Sequence, residues 1–211
     1  MVDMSASGGF GTTENLKREK AAELASVVAF SAIRNNDKMG VCLFTEEAER
    51  FIPPKKGAAH VWRVISEILQ FDPERTGTSI SRAVDYFGRA MRKRTVCFVI
   101  SDFYDSGYMD SLKRLNKRHD VIPAIITDPG DFALPEAGIL EAQDLESGQR
   151  LQLDCSDRET RERFRREREG FLAGTRKDFS RAGMDSVLLS TDQSSADVLT
   201  SLFRKRERRA R

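Results

Sequence analysis

The sequence predicts an α/β fold: a doubly wound, mainly parallel sheet with helices on both faces, one antiparallel edge strand and a hairpin insertion. Three observations predict it. Short, continuous apolar runs recur along the chain, as strands covered on both faces require. Segments with apolar residues at helical spacing lie between them. The alternation of the two implies right-handed crossovers and parallel pairing.

The elements follow in order. Met1 and Val2 are all that precede Asp3 in the first run. A helix is expected over about 14–35, with Leu16, Ala21, Leu24, Val27, Val28 and Ala32 on its apolar side. The run 39–44 reads as a buried strand. The piece 49–54 follows after a short turn and ends in Pro53 and Pro54, which suits an antiparallel edge strand. A second helix is expected over about 58–70, and a third over about 79–93 with Ile80, Val84, Phe87 and Met91 inward. The runs 95–100, 121–126 and, more weakly, 185–189 complete the strands, with Pro123 a blemish in the second of these. Residues 137–153 place Ile139, Leu140, Leu145, Leu151 and Leu153 around the turn 146–149, a hairpin signal. Residues 157–182 are dense in charge but carry Phe164, Phe171, Leu172 and Phe179 at helical spacing, so a long solvated helix with one buried stripe is expected. One domain over 1–203 and a basic tail over 204–211, soluble and frayed, describe the organisation.

Composition narrows the function. The 39% hydrophobic share, gathered in blocks, supports one sizeable core and excludes a disordered chain. Thirty-five basic against 33 acidic residues leave +2, which does not point to nucleic acid. Cys42, Cys97 and Cys155 form no CxxC pair, and the first two lie in apolar runs, so a reducing, cytoplasmic setting is expected. No stretch approaches the ~20 apolar residues of a membrane span.

One constellation carries chemistry. Asp3, Ser5 and Ser7 stand at alternate positions where the first strand ends, before the glycine-rich turn 8–11. Thr78, after Gly77, opens the third helix, and Asp102 directly follows the strand 95–100. In open α/β sheets this rim is where ligands bind. Hydroxyls from Ser5, Ser7 and Thr78, with Asp3 and Asp102 bound directly or through water, suit a hard divalent cation, Mg2+ or Mn2+. Thr76 is a second hydroxyl in the same stretch; Thr78 fits the pattern better because it follows Gly77. If neutral hydroxyls dominate, the ion keeps much of its charge and a carboxylate from another molecule completes its shell. Taken singly, each of these residues also reads as an ordinary turn or helix-capping residue.

The set Asp3-x-Ser5-x-Ser7, Thr78 and Asp102 resembles the metal-ion-dependent adhesion site of von Willebrand factor A domains. The stretches 34–44, 49–54, 99–103 and 119–121 resemble an uncharacterised bacterial branch encoded beside MoxR-type AAA+ ATPases. The resemblance implies a von Willebrand factor A-like fold, a magnesium-type site from these five residues, and a role as adaptor or co-chaperone for such an ATPase. It also implies a longer first strand than Met1 and Val2 supply, so a central strand cut short is expected, which bears on stability and metal affinity. Relatives of this type usually carry membrane-spanning helices, and the cytoplasmic part of a membrane-anchored protein is the matching location.

Other classes fit less well. A phosphohydrolase using Asp3 needs a second acid two residues on, where Ser5 stands. No G-x-S-x-G elbow accompanies His60 or His119, and the turn 8–11 has neither P-loop nor dinucleotide spacing. An enzyme is therefore not expected. A metal-free interaction scaffold with a degenerate site is the remaining alternative.

Overall fold

The computed structural model describes residues 1–143, 145 and 148–210. Its centre is a six-stranded sheet made of β1 (Val2–Asp3), β2 (Met39–Phe44), β3 (Ala48–Lys55), β4 (Val96–Ser101), β5 (Asp120–Thr127) and β8 (Val187–Ser190), in the spatial order β3-β2-β1-β4-β5-β8. Only the β2–β3 pair is antiparallel; every other pair is parallel. A separate hairpin is formed by β6 (Ile139–Gln143) and β7 (Arg150–Asp154). The expected turn at 146–149 falls partly on Glu146 and Ser147, which lie outside the described residues.

Alternation along the strands builds two cores. Val41, Leu43, Phe98, Ile100, Ile122 and Ile126 face one side and meet α1 (Lys17–Arg34), α2 (Ala58–Gln70) and α6 (Ser195–Ala210). Cys42, Phe44, Cys97, Val99, Val121 and Ile125 face the other and meet α3 (Ile80–Ala90), α4 (Met109–Asn116) and Phe179 of α5 (Arg158–Arg181). The apolar run in each strand is thus explained by burial on both faces. Pro123 is tolerated because β8 pairs only with the part of β5 that follows it. Burial pushes the Cys42 thiol up to about 11, as suits a small core hydrophobe.

The two-residue strand β1 lies between β2 and β4. Val2 pairs with Leu43 and Ile100, and Asp3 with Phe44. The Met1 ammonium donates to the Phe98 carbonyl at 2.7 Å. β2 and β4 flank this residue, and a cleft beside it is lined by Met1, Met39, Cys42, Cys97 and Phe98 among others.

Two regions differ from expectation. The helix α4 was not legible, being eight residues long and rich in polar side chains. The basic end is not frayed as far as it is described. Residues 204–210 continue α6, and the Arg206 guanidinium forks onto Asp120 at 2.7 and 2.8 Å while its Nε donates to Asp185 at 3.2 Å. A bidentate pair of this kind fixes a helix end that composition alone reads as loose. Among the described residues no helix is long and apolar enough to cross a membrane.

Candidate metal centre

The carboxyl ends of β1 and β4 adjoin, and their side chains meet in a small, partly open cavity. Its lining includes Asp3, Ser5, Ser7, Lys17, Ser101 and Asp102. The chain leaves β1 through one 3-10 turn, Ala6–Gly9. That turn brings the Ser5 and Ser7 hydroxyls to 3.1 Å of each other. Gly8 lies so close to α1 that a Cβ there would meet Arg18 Cβ at 3.1 Å. Asp3 is held from two sides: the Ser5 N–H donates to Oδ1 at 3.0 Å and the Ser101 hydroxyl to Oδ2 at 2.6 Å.

Asp102 stands opposite. Its Oδ1 accepts from the Tyr104 N–H at 3.3 Å. Its Oδ2 is buried and accepts no hydrogen bond from any described residue. The next residue, Phe103, adopts φ 60°, a left-handed conformation uncommon outside glycine. It is held there by Phe179 and Tyr108, whose ring centroids lie 5.0 and 5.5 Å away. Backbone strain of this kind gathers at functional sites.

Burial, and then the charge of Asp102, push the Asp3 carboxyl up to about 7. A cation placed beside Asp3 would favour its ionised form. The donor set is oxygen only, and two neighbouring hydroxyls complete it. That is the chemistry of a hard divalent cation and not of zinc or copper. The residues present therefore fit magnesium or manganese. Among the described residues no group of three or more His, Cys, Asp or Glu could hold a metal, so any ion here would depend on the hydroxyls for part of its shell.

Four of the five residues singled out from the sequence line one cavity: Asp3, Ser5, Ser7 and Asp102. Thr78 is half-buried on the adjoining loop and lies outside that lining. The loop is nonetheless laid against the site, since the Ala6 N–H donates to the Thr76 carbonyl at 2.9 Å and the Ser79 N–H to the Thr45 carbonyl at 2.9 Å. Gly77 permits this packing, because a Cβ there would stand 2.8 Å from Glu46 Oε1. His60 Nε2 donates to the Met39 carbonyl at 2.8 Å, and His119 is buried against Phe87; neither lines the cavity.

Sequence reasoning missed a second polar cluster beside the first. Lys17, the first residue of α1, is 5% exposed. Its ammonium lies 2.7 Å from Asp131 Oδ1 and 3.5 Å from Asp102 Oδ2, between the rings of Phe10 and Tyr104. Asp131 in turn accepts from the Asp128 N–H at 2.8 Å. Asp128 is fully buried after β5. Burial raises its carboxyl, but hydrogen bonds from Thr12, Thr191 and Gly130 outweigh this and hold it below the usual range. The run 128–131 carries a legible signal, Asp-Pro-Gly-Asp after an apolar strand, which is turn and capping chemistry. Lys17 carries none. A lysine in the first turn of an amphipathic helix reads as solvated.

The family of proteins of unknown function designated DUF58 matches residues 1–170. Among curated proteins, the chain is 28% identical over 210 residues to the uncharacterized protein Rv1480 of Mycobacterium tuberculosis and, equally, to Mb1516 of Mycobacterium bovis. These alignments take in 98% of this chain, which spans 66% of the length of those relatives. The uncharacterized protein MAV169 of Mycobacterium avium is 26% identical over 132 residues, 62% of this chain and 78% of that one. Two crystal structures share the fold at 16% identity. One is the conserved hypothetical protein BatB from Bacteroides thetaiotaomicron, with a TM-score of 0.63 over 99% of this chain and 96% of that one. The other is an aerotolerance-related membrane protein from Bacteroides fragilis carrying multiple mutations to serine, with a TM-score of 0.64 over 96% and 94%.

Proposed function

We propose that this chain, which belongs to the DUF58 family, holds one divalent metal ion at the rim of its sheet and presents it to a protein partner. The observation that carries the reading is the pairing of Asp3 and Asp102 across a cavity that also contains the Ser5 and Ser7 hydroxyls. Ser5 and Ser7 would ligate directly, Asp3 and Asp102 directly or through water, and Thr78 from the adjoining loop. Bound there, the ion supplies an electrophilic position for an outside carboxylate. The resemblance to a metal-ion-dependent adhesion site supports the same assignment.

The partner we propose is a protein that offers an acidic side chain, and a MoxR-type AAA+ ATPase is the candidate that the sequence resemblance supplies. An adaptor or co-chaperone role follows from that pairing. Binding is favoured over catalysis: Asp3 would be the nucleophile of a magnesium-dependent phosphohydrolase, yet the position of its acid partner holds Ser5, whose hydroxyl pairs with Ser7. The second reading is a scaffold without metal, and one observation favours it. The Lys17 ammonium already stands 3.5 Å from Asp102.

Calorimetric titration with Mg2+ and Mn2+ tests the assignment. One saturable site is expected, weakened about tenfold or more by Ser5→Ala, Ser7→Ala or Thr78→Ala with the fold retained. Unchanged affinity in all three would overturn the ligand set, and no binding to the parent chain would leave the metal-free scaffold.

A further inference from the structure

Lys17 occupies a position that is unfavourable twice over. It is buried, which penalises an ammonium, and it opens a helix, where the positive end of the backbone dipole repels a cation. Such a residue persists only where its surroundings compensate it. Three groups of contacts do so: Asp131 at 2.7 Å, Asp102 at 3.5 Å, and the faces of Phe10 and Tyr104 with centroids 5.3 and 5.4 Å away.

The two carboxylates are not equivalent. Asp131 is fixed from its far side, because its Oδ2 accepts from the Asp128 N–H at 2.8 Å while its Oδ1 takes the ammonium. That end of the contact is a close, hydrogen-bond-length ion pair on a rigid turn. The Asp102 end is looser. Its Oδ2 lies at ion-pair distance from Lys17 yet accepts no hydrogen bond from any described residue. One oxygen of a carboxylate that lines the cavity with Ser5 and Ser7 is thus neutralised by charge alone.

We propose that Lys17 is a resident cation of this site, holding Asp102 in the absence of a divalent ion and yielding it, while keeping Asp131, when one binds. The inference rests on the metal reading above and adds a competitor to it. The ammonium and the divalent ion draw on the same Asp102 charge and repel each other in a cavity of low dielectric. Lys17 therefore sets the affinity of the site downward and keeps the two carboxylates together when it is empty of metal. It is a positioning residue and does not ligate.

The test compares Mn2+ affinity in two variants that share one background, Asp131→Asn and Lys17→Met/Asp131→Asn. This removes the complication that Lys17→Met alone leaves Asp131 buried without its partner. Within that shared background, loss of the ammonium is expected to tighten Mn2+ binding about tenfold or more. Lys17→Arg in the parent chain, which keeps the charge, is expected to leave affinity near the parent value. Equal or weaker binding in the double variant than in Asp131→Asn overturns the proposal while the metal reading stands. Binding in the double variant but in neither Lys17-containing protein overturns the proposal, because Lys17 then does not yield Asp102, and leaves the parent chain a metal-free scaffold. No binding in any protein removes the metal reading and this proposal with it. A measurement that needs no core substitution stands beside these: in the parent chain the Lys17 side-chain 13Cε resonance is expected to move with Mg2+ occupancy. A resonance that stays put through saturation overturns the proposal.

Discussion

The two residues of β1 are neighbours in the same central strand, only 1% and 7% exposed, and they live in opposite chemistries. Val2 is packed in the apolar core, between Leu43 of β2 and Ile100 of β4. Asp3 lies one residue on, in a cavity where hydroxyls, an ammonium and a second carboxylate surround it. The difference teaches that burial does not forbid a charge; an absence of partners does. At Asp3 the Ser5 N–H and the Ser101 hydroxyl replace water. At Val2 only apolar side chains are available.

The largest break in this contrast is Val2→Asp. A carboxylate at that position meets no donor, and a loss of more than about 3 kcal/mol is expected, read as a collapse of the urea midpoint or as failure to fold. A midpoint within ~1 kcal/mol of the parent would mean that this position admits water freely and is not part of the core.

Asp3→Asn sharpens the other end. With its folded-state pKa raised from 3.8 to about 7, Asp3 favours the folded state while protonated. That contribution is fully present below pH 3.8 and is lost as pH rises through about 7. At pH 8 in chelator the ionised form carries a penalty of a few kcal/mol. The amide that replaces it does not titrate, so the variant is expected to melt about 5 °C or more above the parent at pH 8 and to lose this advantage near pH 4. Saturating Mg2+ should reverse the order, since the ion stabilises the ionised parent and not the variant. Equal melting temperatures across the range in chelator would show that Asp3 ionises freely and that the cavity is wet.

The smallest effect is expected far from both ends. Ile139 on the hairpin is 74% exposed. Ile139→Lys should change stability by no more than about 0.5 kcal/mol in the same urea measurement. A loss above ~1 kcal/mol would show that the hairpin packs against something in solution.

How much of this was legible follows the same division. The strands 39–44, 95–100 and 121–126 were read nearly to the residue because burial on both faces leaves an unbroken apolar run. The helix expected over 58–70 is observed as Ala58–Gln70 because its apolar stripe is strong. Asp3, Ser5, Ser7 and Asp102 were legible because polar residues interrupt the chain where strands end. Thr78 was chosen by the same logic, and the structure sets it on the adjacent loop instead of in the cavity lining. The Lys17–Asp131–Asp128 chain was not legible. Those residues come from the helix after β1 and the turn after β5, and only the fold brings them together. The basic end misled for a related reason: Arg206 is anchored by Asp120 and Asp185, which lie 86 and 21 positions away in sequence.

The sheet's two outer margins are poorly suited to recruiting another chain. β3 carries consecutive prolines near its end, which offer no N–H to a newcomer, and β8 is four residues long. Edge-to-edge growth, a common route from a sheet to aggregates, is therefore discouraged on both flanks.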